Sequence, residues 1–258
     1  MEYIPYLEIA EHLPIERGDV LFVSSDIGNL FRAAYEHKEK FDANKFIDAL
    51  IEKIGNEGTL VFPTYNWGFC NGETFDYKKT SCKTGALGAT ALRRNDFKRT
   101  KHPIYSFAVW GKDRDLLINM NNESSFGADS PFAYFHNVKA KNLIIDVEYT
   151  RCFTFVHYVE EASGNRTYRY TKFFTADYID EDSNKTLRSY SMLVRDLDLN
   201  VQNDLSPVGI EMEKAEIARK FRINDIFFTI VDMNTSFDLI MKDIKENKSR
   251  KICKYIGQ

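Results

Sequence analysis

Three polar side chains in the segment Thr154–Glu160 (TFVHYVE) are spaced so that one face of a helix would carry all of them. Thr154, His157 and Glu160 stand three residues apart and follow the apolar run Asn142–Val147. Residues three apart share a helix face, and open α/β folds place their sites at the carboxyl ends of strands. A histidine backed by a carboxylate makes a general base. The spacing therefore favours a base at His157, although most histidines on helices have a surface or core role.

Small and hydroxyl-bearing residues mark two further places where a ligand could bind. Ser24 and Ser25 end the first apolar run of the chain, where they could hydrogen-bond an amide or thioester or simply cap the next helix. Ser81, Thr84 and Gly85 precede a predicted helix, whose first backbone N–H groups can hold a phosphate or an oxyanion. For this second segment a plain capped loop is the alternative interpretation.

Basic residues cluster in the segment Arg99–Pro103 (RTKHP). Arg99 and His102 could make charge-assisted contacts with the phosphates of a ligand. A solvated run of charge is the usual explanation for such a cluster. Further along the chain, Ser130 and Pro131 are typical of the N-cap and first position of a helix.

Composition excludes several classes of protein. The chain has 258 residues, 43 % of them hydrophobic, and a net charge of −3, which favours a packed globular protein without a basic surface for nucleic acid. No apolar run reaches the roughly 18–20 residues of a membrane span, and the N-terminus lacks the features of a signal peptide. The four cysteines have no C-x-x-C spacing, so we expect a cytoplasmic protein without a metal site.

Apolar runs alternate with helical spacing over the first 165 residues or so. Strands are predicted at 19–24, 58–63, 106–110 and 142–147, and helices at 42–54, 85–94 and 153–162. This alternation predicts an α/β fold, a three-layer core with a largely parallel central sheet. Beyond Gly164 the runs 167–179 and 187–195 predict an antiparallel, β-rich appendage at about 165–200, followed by a helix at 210–220, a strand at 225–231 and a helix at 235–247. We expect a single domain over 1–258 with a subdomain edge near 164.

Taken in chain order, several segments resemble the aminoglycoside 3-N-acetyltransferase family, whose antibiotic N-acetyltransferase fold is unrelated to the GNAT acetyltransferases. The segments are Gly18–Leu21 with Val23–Ser25, Gly58–Thr64 (GTLVFPT), Thr84–Gly85, Arg99–Ser106 with Gly111, Phe126–Gly127 with Ser130–Pro131, and Thr154–Glu160. The resemblance is supported by motifs over roughly residues 15–165.

The resemblance implies an acyl-CoA-dependent N-acyltransferase that uses acetyl-CoA or another acyl-CoA, no metal, and direct attack in a ternary complex. His157 would be the general base, Glu160 would orient it, and Thr154 would line the pocket near the thioester. The implied coenzyme-binding residues are Ser24, Ser25, Ser81, Thr84, Gly85, Arg99 and His102. The expected partners are the acyl-CoA and a small amino sugar, without nucleic acid or membrane, for a monomer or homodimer.

Two departures from the family pattern put the acceptor in doubt. The helix after Gly85 lacks the family's Pro and Glu, and the strand before His157 ends Ile145-Asp146-Val147. We therefore favour the amine of a nucleotide-linked amino sugar in surface glycan biosynthesis over an antibiotic. An aminoglycoside resistance enzyme and a non-catalytic coenzyme A or sugar-binding homologue are the alternatives. A polycationic acceptor would need several carboxylates around it, for which the chain offers Glu73, Asp76, Asp129, Asp146 and Glu148.

Overall fold

The computed structural model describes residues 2–164 and 166–256. Its strands are β1 Val20–Ser25, β2 Thr59–Pro63, β3 Phe75–Asp76, β4 Lys98–Arg99, β5 Phe107–Gly111, β6 Lys141–Ile145, β7 Arg169–Ile179, β8 Lys185–Arg195, β9 Val201–Asn203, β10 Ala218–Ile223, β11 Ile226–Asp232 and β12 Cys253–Tyr255. Its α-helices are α1 Gly28–Glu36, α2 Ala43–Ile54, α3 Ala86–Ala91, α4 Arg114–Asn119, α5 Pro131–Asn137, α6 Tyr149–Cys152, α7 Val156–Ala162, α8 Ser206–Lys214 and α9 Met233–Glu246. Short 3₁₀ helices lie at Ile9–His12, Gly68–Asn71 and Leu197–Leu199.

A seven-stranded sheet in the order β10-β11-β6-β1-β2-β5-β4 forms the centre of the fold. β1 pairs in parallel with both β2 and β6, and the outer strands pair antiparallel. By these pairings β10, β6, β1, β2 and β4 run in one direction, so five of the seven strands share it. The predicted α/β fold with a largely parallel central sheet is confirmed.

Apolar side chains of β1 alternate between the two faces of the sheet. Phe22 packs into one core with α5, α7 and α9, whereas Leu21 and Val23 pack into the other with α1, α2 and α3. All three side chains are fully buried. Strands covered on both faces read as continuous apolar runs, which is why β1, β2 and β6 could be predicted from the sequence.

Local signals set the bounds of α2 and α5. Asp42 caps α2 by accepting a hydrogen bond from the backbone N–H of Asn44 at 2.9 Å, and Gly55 follows its end with φ +67°. Ser130 caps α5 by accepting from the backbone N–H of Ala133 at 3.4 Å, directly before Pro131. These are the terminal residues that helices prefer, and both helices start where the sequence predicts them.

Two helix predictions are wrong in part. The helix expected at 210–220 ends at Lys214, and Ala218–Ile223 forms edge strand β10 instead. β10 pairs with β11 along its whole length and buries its first and last residues, Ala218 and Ile223. This pairing outweighs its helical propensity. Of the helix expected at 153–162, only Val156–Ala162 is helical, as α7, while α6 (Tyr149–Cys152) before it and α1 (Gly28–Glu36) after β1 are additional helices.

The appendage is a long hairpin in which β7 pairs with β8 along eleven residues, and β3 adds to it in parallel. Asn165, at its predicted start, lies outside the described residues. Buried Tyr178 and Tyr190 pack the hairpin against the central core, and the Tyr178 hydroxyl donates to the carbonyl of Lys101 at 2.8 Å. None of the helices in the described ranges combines the length and apolar character needed to span a membrane.

Close packing of α3 on the end of β2 requires glycine at position 88. A Cβ on Gly88 would lie 2.4 Å from the carbonyl oxygen of Pro63. We therefore expect Gly88→Ala to destabilise the protein by about 1–3 kcal/mol, measured by urea unfolding. Gly28→Ala is the control, because its Cβ would meet the Asp26 carboxylate at 3.2 Å and no backbone atom within 4 Å. Equal unfolding midpoints for the two variants would contradict this explanation.

Candidate active site

A histidine–carboxylate pair lies in α7. The Nδ1 of His157 is 2.6 Å from Oε2 of Glu160. The Glu160 side chain is 5 % exposed and that of His157 is 16 % exposed. Thr154 lies in the turn before α7, where its backbone N–H donates to the carbonyl of Cys152 at 2.8 Å. The i, i+3 spacing thus brings the base and its carboxylate together, whereas Thr154 approaches from the turn and not from the helix.

The first residues of the appendage complete the surroundings of Glu160. Its second oxygen, Oε1, accepts hydrogen bonds from the hydroxyl of Tyr168 and, at 2.8 Å, from Nε of Arg169. Arg169 in turn donates from Nη2 to Oδ1 of Asn203 at 2.6 Å. Each carboxylate oxygen therefore has a donor, which fixes the carboxylate and through it the orientation of the His157 ring.

These contacts set the charge state of the pair. Burial lowers the pKa of His157, the charge of Arg169 lowers it further, and the hydrogen bond to Glu160 opposes both. For Glu160, burial would raise the pKa, but His157, Arg169 and Tyr168 outweigh it and hold the pKa at about 2. At neutral pH the imidazole is neutral beside an ionised carboxylate. With Nδ1 donating to Glu160, Nε2 is the nitrogen able to accept a proton.

His157 opens onto a cavity of about 740 Å³ at the carboxyl ends of β1, β2 and β6, which we call the strand-edge cavity. Its walls include Ser24, Ser25, Thr84, Gly85, Thr154 and His157. These residues come from segments far apart in the sequence, and parallel strands bring their ends to one edge of the sheet. The structure thus gathers most of the residues singled out in the sequence around one space.

Hydrogen bonds position two of the wall residues. Thr84 donates from Oγ1 to the carbonyl of Pro63 at 2.8 Å and accepts from the backbone N–H of Tyr65 at 3.1 Å. Ser24, which is 3 % exposed, accepts a hydrogen bond from Nδ2 of Asn142 at 3.3 Å. Gly85 has φ +109°, and a Cβ there would lie 3.2 Å from the carbonyl oxygen of Ser25. Only glycine fits this approach without strain.

The structure does not bring Ser81, Arg99 and His102 to the strand-edge cavity, in contrast to the expectation drawn from the sequence. Ser81 is exposed, and its carbonyl accepts from the side chain of Asn66 at 2.8 Å. His102 is 2 % exposed, burial lowers its pKa to about 3, and its Nδ1 accepts from the backbone N–H of Tyr105 at 3.2 Å. We therefore assign a structural role to His102.

Arg99 is likewise a buried residue of the core and not part of a solvated basic cluster. It is 4 % exposed, and its guanidinium donates to Ser106 Oγ at 3.0 Å and to the carbonyls of Thr64 and Thr80. It also lies over the ring of Phe75, 4.8 Å from the centroid. Each of its three nitrogens donates within the protein and the side chain is buried, so we do not assign it to a coenzyme.

A second space, of about 590 Å³, meets His157 from the side of the appendage, and we call it the hairpin cavity. Tyr170, Lys172, Met192 and Arg195 of the hairpin line it. Three residues, Tyr105, His157 and Asn203, line both cavities. The base therefore lies where two spaces meet, an arrangement suited to two substrates that react with each other.

Several residues of the site were not identified from the sequence. Tyr168 and Arg169 reach Glu160 only after the chain turns at the start of the appendage, and Asn203 arrives from β9. Lys83 and Arg151 supply cations to the strand-edge cavity. Lys83 adjoins the predicted Thr84–Gly85 turn and Arg151 the predicted catalytic segment, so proximity to those motifs was the only signal for them.

The walls of the two cavities are not acidic. The strand-edge cavity has Asp26 against Lys83 and Arg151, and the hairpin cavity has Asp196 and Asp198 against Arg169, Lys172 and Arg195. None of the five carboxylates considered from the sequence lines either cavity, namely Glu73, Asp76, Asp129, Asp146 and Glu148. Within residues 2–164 and 166–256, no group of three or more His, Cys, Asp or Glu side chains is arranged to hold a metal ion.

The arrangement is suited to proton abstraction from a nucleophile and to acyl transfer. A neutral, buried imidazole with a fixed ring adjoins a cavity whose walls carry the hydroxyl groups of Ser24, Ser25 and Thr154. Cys152 also lines this cavity, but burial raises the pKa of its thiol to about 12. Since the thiolate is the nucleophile of a cysteine, the histidine is the better-placed reactive group.

Comparisons with known proteins give consistent results. Residues 36–245 match the family described as aminoglycoside 3-N-acetyltransferase. The chain is 25 % identical over 137 residues to the SPbeta prophage-derived aminoglycoside N(3')-acetyltransferase-like protein YokD of Bacillus subtilis (strain 168). That match covers 43 % of this chain and 50 % of the relative, so it spans half of the relative's length.

Two solved structures share the fold over nearly the whole chain. AAC-IIIb, solved as a binary complex with CoASH, is similar with a TM-score of 0.78 and 14 % identity, covering 95 % of this chain and 98 % of that one. AAC-VIa, solved with bound sisomicin, is similar with a TM-score of 0.78 and 17 % identity, covering 95 % and 99 %. At these identities the likeness establishes the architecture.

Proposed function

Because this chain belongs to the aminoglycoside 3-N-acetyltransferase family, we propose that it transfers an acetyl-type group from coenzyme A to the amine of an amino sugar. The observation that carries the proposal is the buried pair of His157 and Glu160, 2.6 Å apart, where two cavities meet. The remaining residues of the pair's surroundings, Tyr168 and Arg169, hold the carboxylate ionised.

The proposed reaction begins at Nε2 of the neutral His157. It takes a proton from the ammonium group of the acceptor, and the resulting amine attacks the thioester carbonyl carbon. As the C–N bond forms, the C–S bond breaks, and the departing sulfur takes the remaining extra proton of the nitrogen. His157 then loses its proton to solvent, while Glu160 stabilises the imidazolium in between.

We assign the acyl-CoA donor to the strand-edge cavity. Ser24 and Ser25 line it beside Gly85, and a side chain at position 85 would narrow it there, because its Cβ would lie 3.2 Å from the carbonyl oxygen of Ser25. Lys83 and Arg151 carry the positive charge that suits the phosphates of coenzyme A. The thioester would then lie near Thr154 and His157, with the acceptor entering from the hairpin cavity.

Two classes of acceptor remain in competition. The family, together with AAC-VIa solved with sisomicin, favours an aminoglycoside. The walls favour an amino sugar joined to a phosphate, as in nucleotide-linked sugars, because Lys172 and Arg195 line the hairpin cavity with only two carboxylates from the described residues, Asp196 and Asp198. The aminoglycoside, supported by the family, is the first candidate, the nucleotide-linked amino sugar, supported by the walls, is the second, and thiol release decides between them.

The test is thiol release from acetyl-CoA by the purified protein with three acceptors, kanamycin, glucosamine and UDP-glucosamine. Release that requires kanamycin would establish the aminoglycoside activity, and release that requires UDP-glucosamine would establish the second candidate. Coenzyme binding without release for any amine would contradict the proposed catalysis and indicate a binding homologue.

The pH dependence of the rate should reflect the lowered pKa of His157. We expect the acidic limb of the kcat/KM profile, which reports the free enzyme, to have its midpoint below about pH 6.5, the ordinary value for histidine, because burial and Arg169 disfavour the imidazolium. Arg169→Gln removes a neighbouring cation and should move this midpoint to higher pH. The measurement is kcat/KM from pH 5 to 9, with Arg219→Gln, which changes an exposed arginine of β10, as the control. A wild-type midpoint above pH 6.5 would contradict the assignment.

A further inference from the structure

Two arginines stand directly opposite each other at the open end of the hairpin. Arg169 begins β7 and Arg195 ends β8, and the two are cross-strand partners in the antiparallel register. Like charges in directly opposed positions destabilise a sheet. Such a pair therefore needs an explanation from its surroundings.

Arg169 has its counter-charge within the protein. Its Nε donates to Glu160 at 2.8 Å, and its side chain is 7 % exposed. Arg195 differs, because its guanidinium donates from Nη1 to a backbone carbonyl, that of Val201, at 2.9 Å. Across residues 2–164 and 166–256, no carboxylate forms an ion pair with Arg195.

The charge of Arg195, which has no ion-pair partner in the described part of the chain, lies in a cavity that His157 also lines. Arg195 is half-buried and lines the hairpin cavity together with His157, and its charge lowers the pKa of that histidine. Lys172, on the neighbouring strand, lines the same cavity, and its ammonium lies 5.3 Å from the centroid of the Phe174 ring. One wall of the space beside the base thus carries two cations without ion-pair partners in the described part of the chain.

Two carboxylates, Asp196 and Asp198, line the same wall. In the described part of the chain neither forms an ion pair with Arg195 or Lys172. Asp196 instead caps a 3₁₀ helix, where it accepts from the backbone N–H of Asp198 at 3.1 Å. A planar guanidinium with free N–H groups matches the paired oxygens of a phosphoryl group.

We infer that Arg195, assisted by Lys172, binds a phosphoryl group of the acceptor, so that the acceptor amine belongs to a phosphorylated or nucleotide-linked sugar. The identity of the ligand as an acceptor rests on the proposed function, in which its amine is acetylated. The anion site itself is inferred from the geometry of the hairpin alone. It assigns to the hairpin cavity a ligand of opposite charge to the polycationic aminoglycosides.

The test measures binding of inorganic phosphate by calorimetry to the protein saturated with coenzyme A, so that the cations of the strand-edge cavity are already occupied. We expect saturable binding that is weakened at least about tenfold in Arg195→Gln, the loss of about 1.4 kcal/mol that one charge-assisted contact gives. Arg195→Lys should retain part of the affinity. Arg219→Gln, which changes an exposed strand arginine outside both cavities, should bind as the wild type does.

A kinetic comparison separates the sources of the phosphoryl group. Glucosamine, glucosamine 6-phosphate and UDP-glucosamine present the same amine with no phosphate, a monoester or a diphosphate. A KM at least about tenfold lower for one phosphorylated acceptor, lost in Arg195→Gln and retained in Arg219→Gln, would identify the source. Absent phosphate binding, or equal affinity in wild type and Arg195→Gln, would overturn the inference. Absent thiol release with every amine would instead overturn the proposed function and leave the phosphate titration to decide the anion site.

Discussion

Replacing His157 with alanine is expected to lower the rate of thiol release from acetyl-CoA by about 10²–10⁴-fold, the usual contribution of a positioned base. The acceptor amine is protonated near neutral pH, and the neutral imidazole beside Glu160 is the group placed to take its proton. The coenzyme should still bind, because the wall at Ser24, Thr84 and Gly85 is unchanged. The measurement is kcat at pH 7 together with the Kd for coenzyme A.

The loss should depend on pH in a way that only a missing base explains. As the pH is raised toward the pKa of the acceptor amine, more of the amine is unprotonated before it binds, and the deficit of His157→Ala should narrow. His12→Ala is the control, since His12 is exposed and lies outside both cavities. A deficit that stays constant with pH would mean that His157 positions a substrate instead of removing its proton. Equal rates in variant and wild type would exclude it from the mechanism.

The base and its carboxylate could be predicted from the sequence because their pairing is local. A spacing of three residues on one helix is enough to bring His157 to Glu160, and this contact does not depend on the tertiary structure. The strands that position them were predictable for a related reason, since burial on both faces leaves a continuous apolar run in β1 and β6. Local patterns therefore gave the framework of the site.

Contacts made at long range were not predictable in this way. The acceptors of the Arg99 guanidinium lie 7, 19 and 35 residues away, at Ser106, Thr80 and Thr64. In the sequence, Arg99 and His102 look like a basic surface, and only the fold shows that both are buried. For Tyr168 and Arg169, the chain must first turn back into the hairpin before they can meet Glu160. A sequence pattern does not indicate where the chain turns back to meet an earlier segment.

The same limit applies to the opposed arginines. Arg169 and Arg195 are separated by the whole hairpin and become neighbours only through the register of β7 with β8. Register depends on the turn and on which face is buried, so a change of one residue would have separated the pair. The acceptor side of the site is consequently the part of the molecule about which the sequence says least.

Replacing Glu160 with glutamine is expected to destabilise the folded protein by about 3–5 kcal/mol at pH 7, because it leaves the buried Arg169 guanidinium without its counter-charge. Activity should fall as well, though by no more than in His157→Ala, since Glu160 acts through the histidine. Glu161→Gln is the control. It neutralises the adjacent carboxylate, whose hydrogen bond is to the Ser124 hydroxyl at 2.6 Å. The measurement is the free energy of unfolding in urea.

The dependence of stability on pH tests the same interaction independently. The pKa of Glu160 is lowered from its ordinary 4.5 to about 2 in the folded protein, so its ionised form favours folding. That contribution is fully present above about pH 4.5 and disappears as the pH falls through 2. Glu160→Gln should therefore lose less stability than wild type between pH 5 and pH 2, and Glu160→Asp should keep part of the wild-type slope. If wild type and Glu160→Gln lost stability in parallel over this range, the carboxylate would not be the paired anion that orients His157.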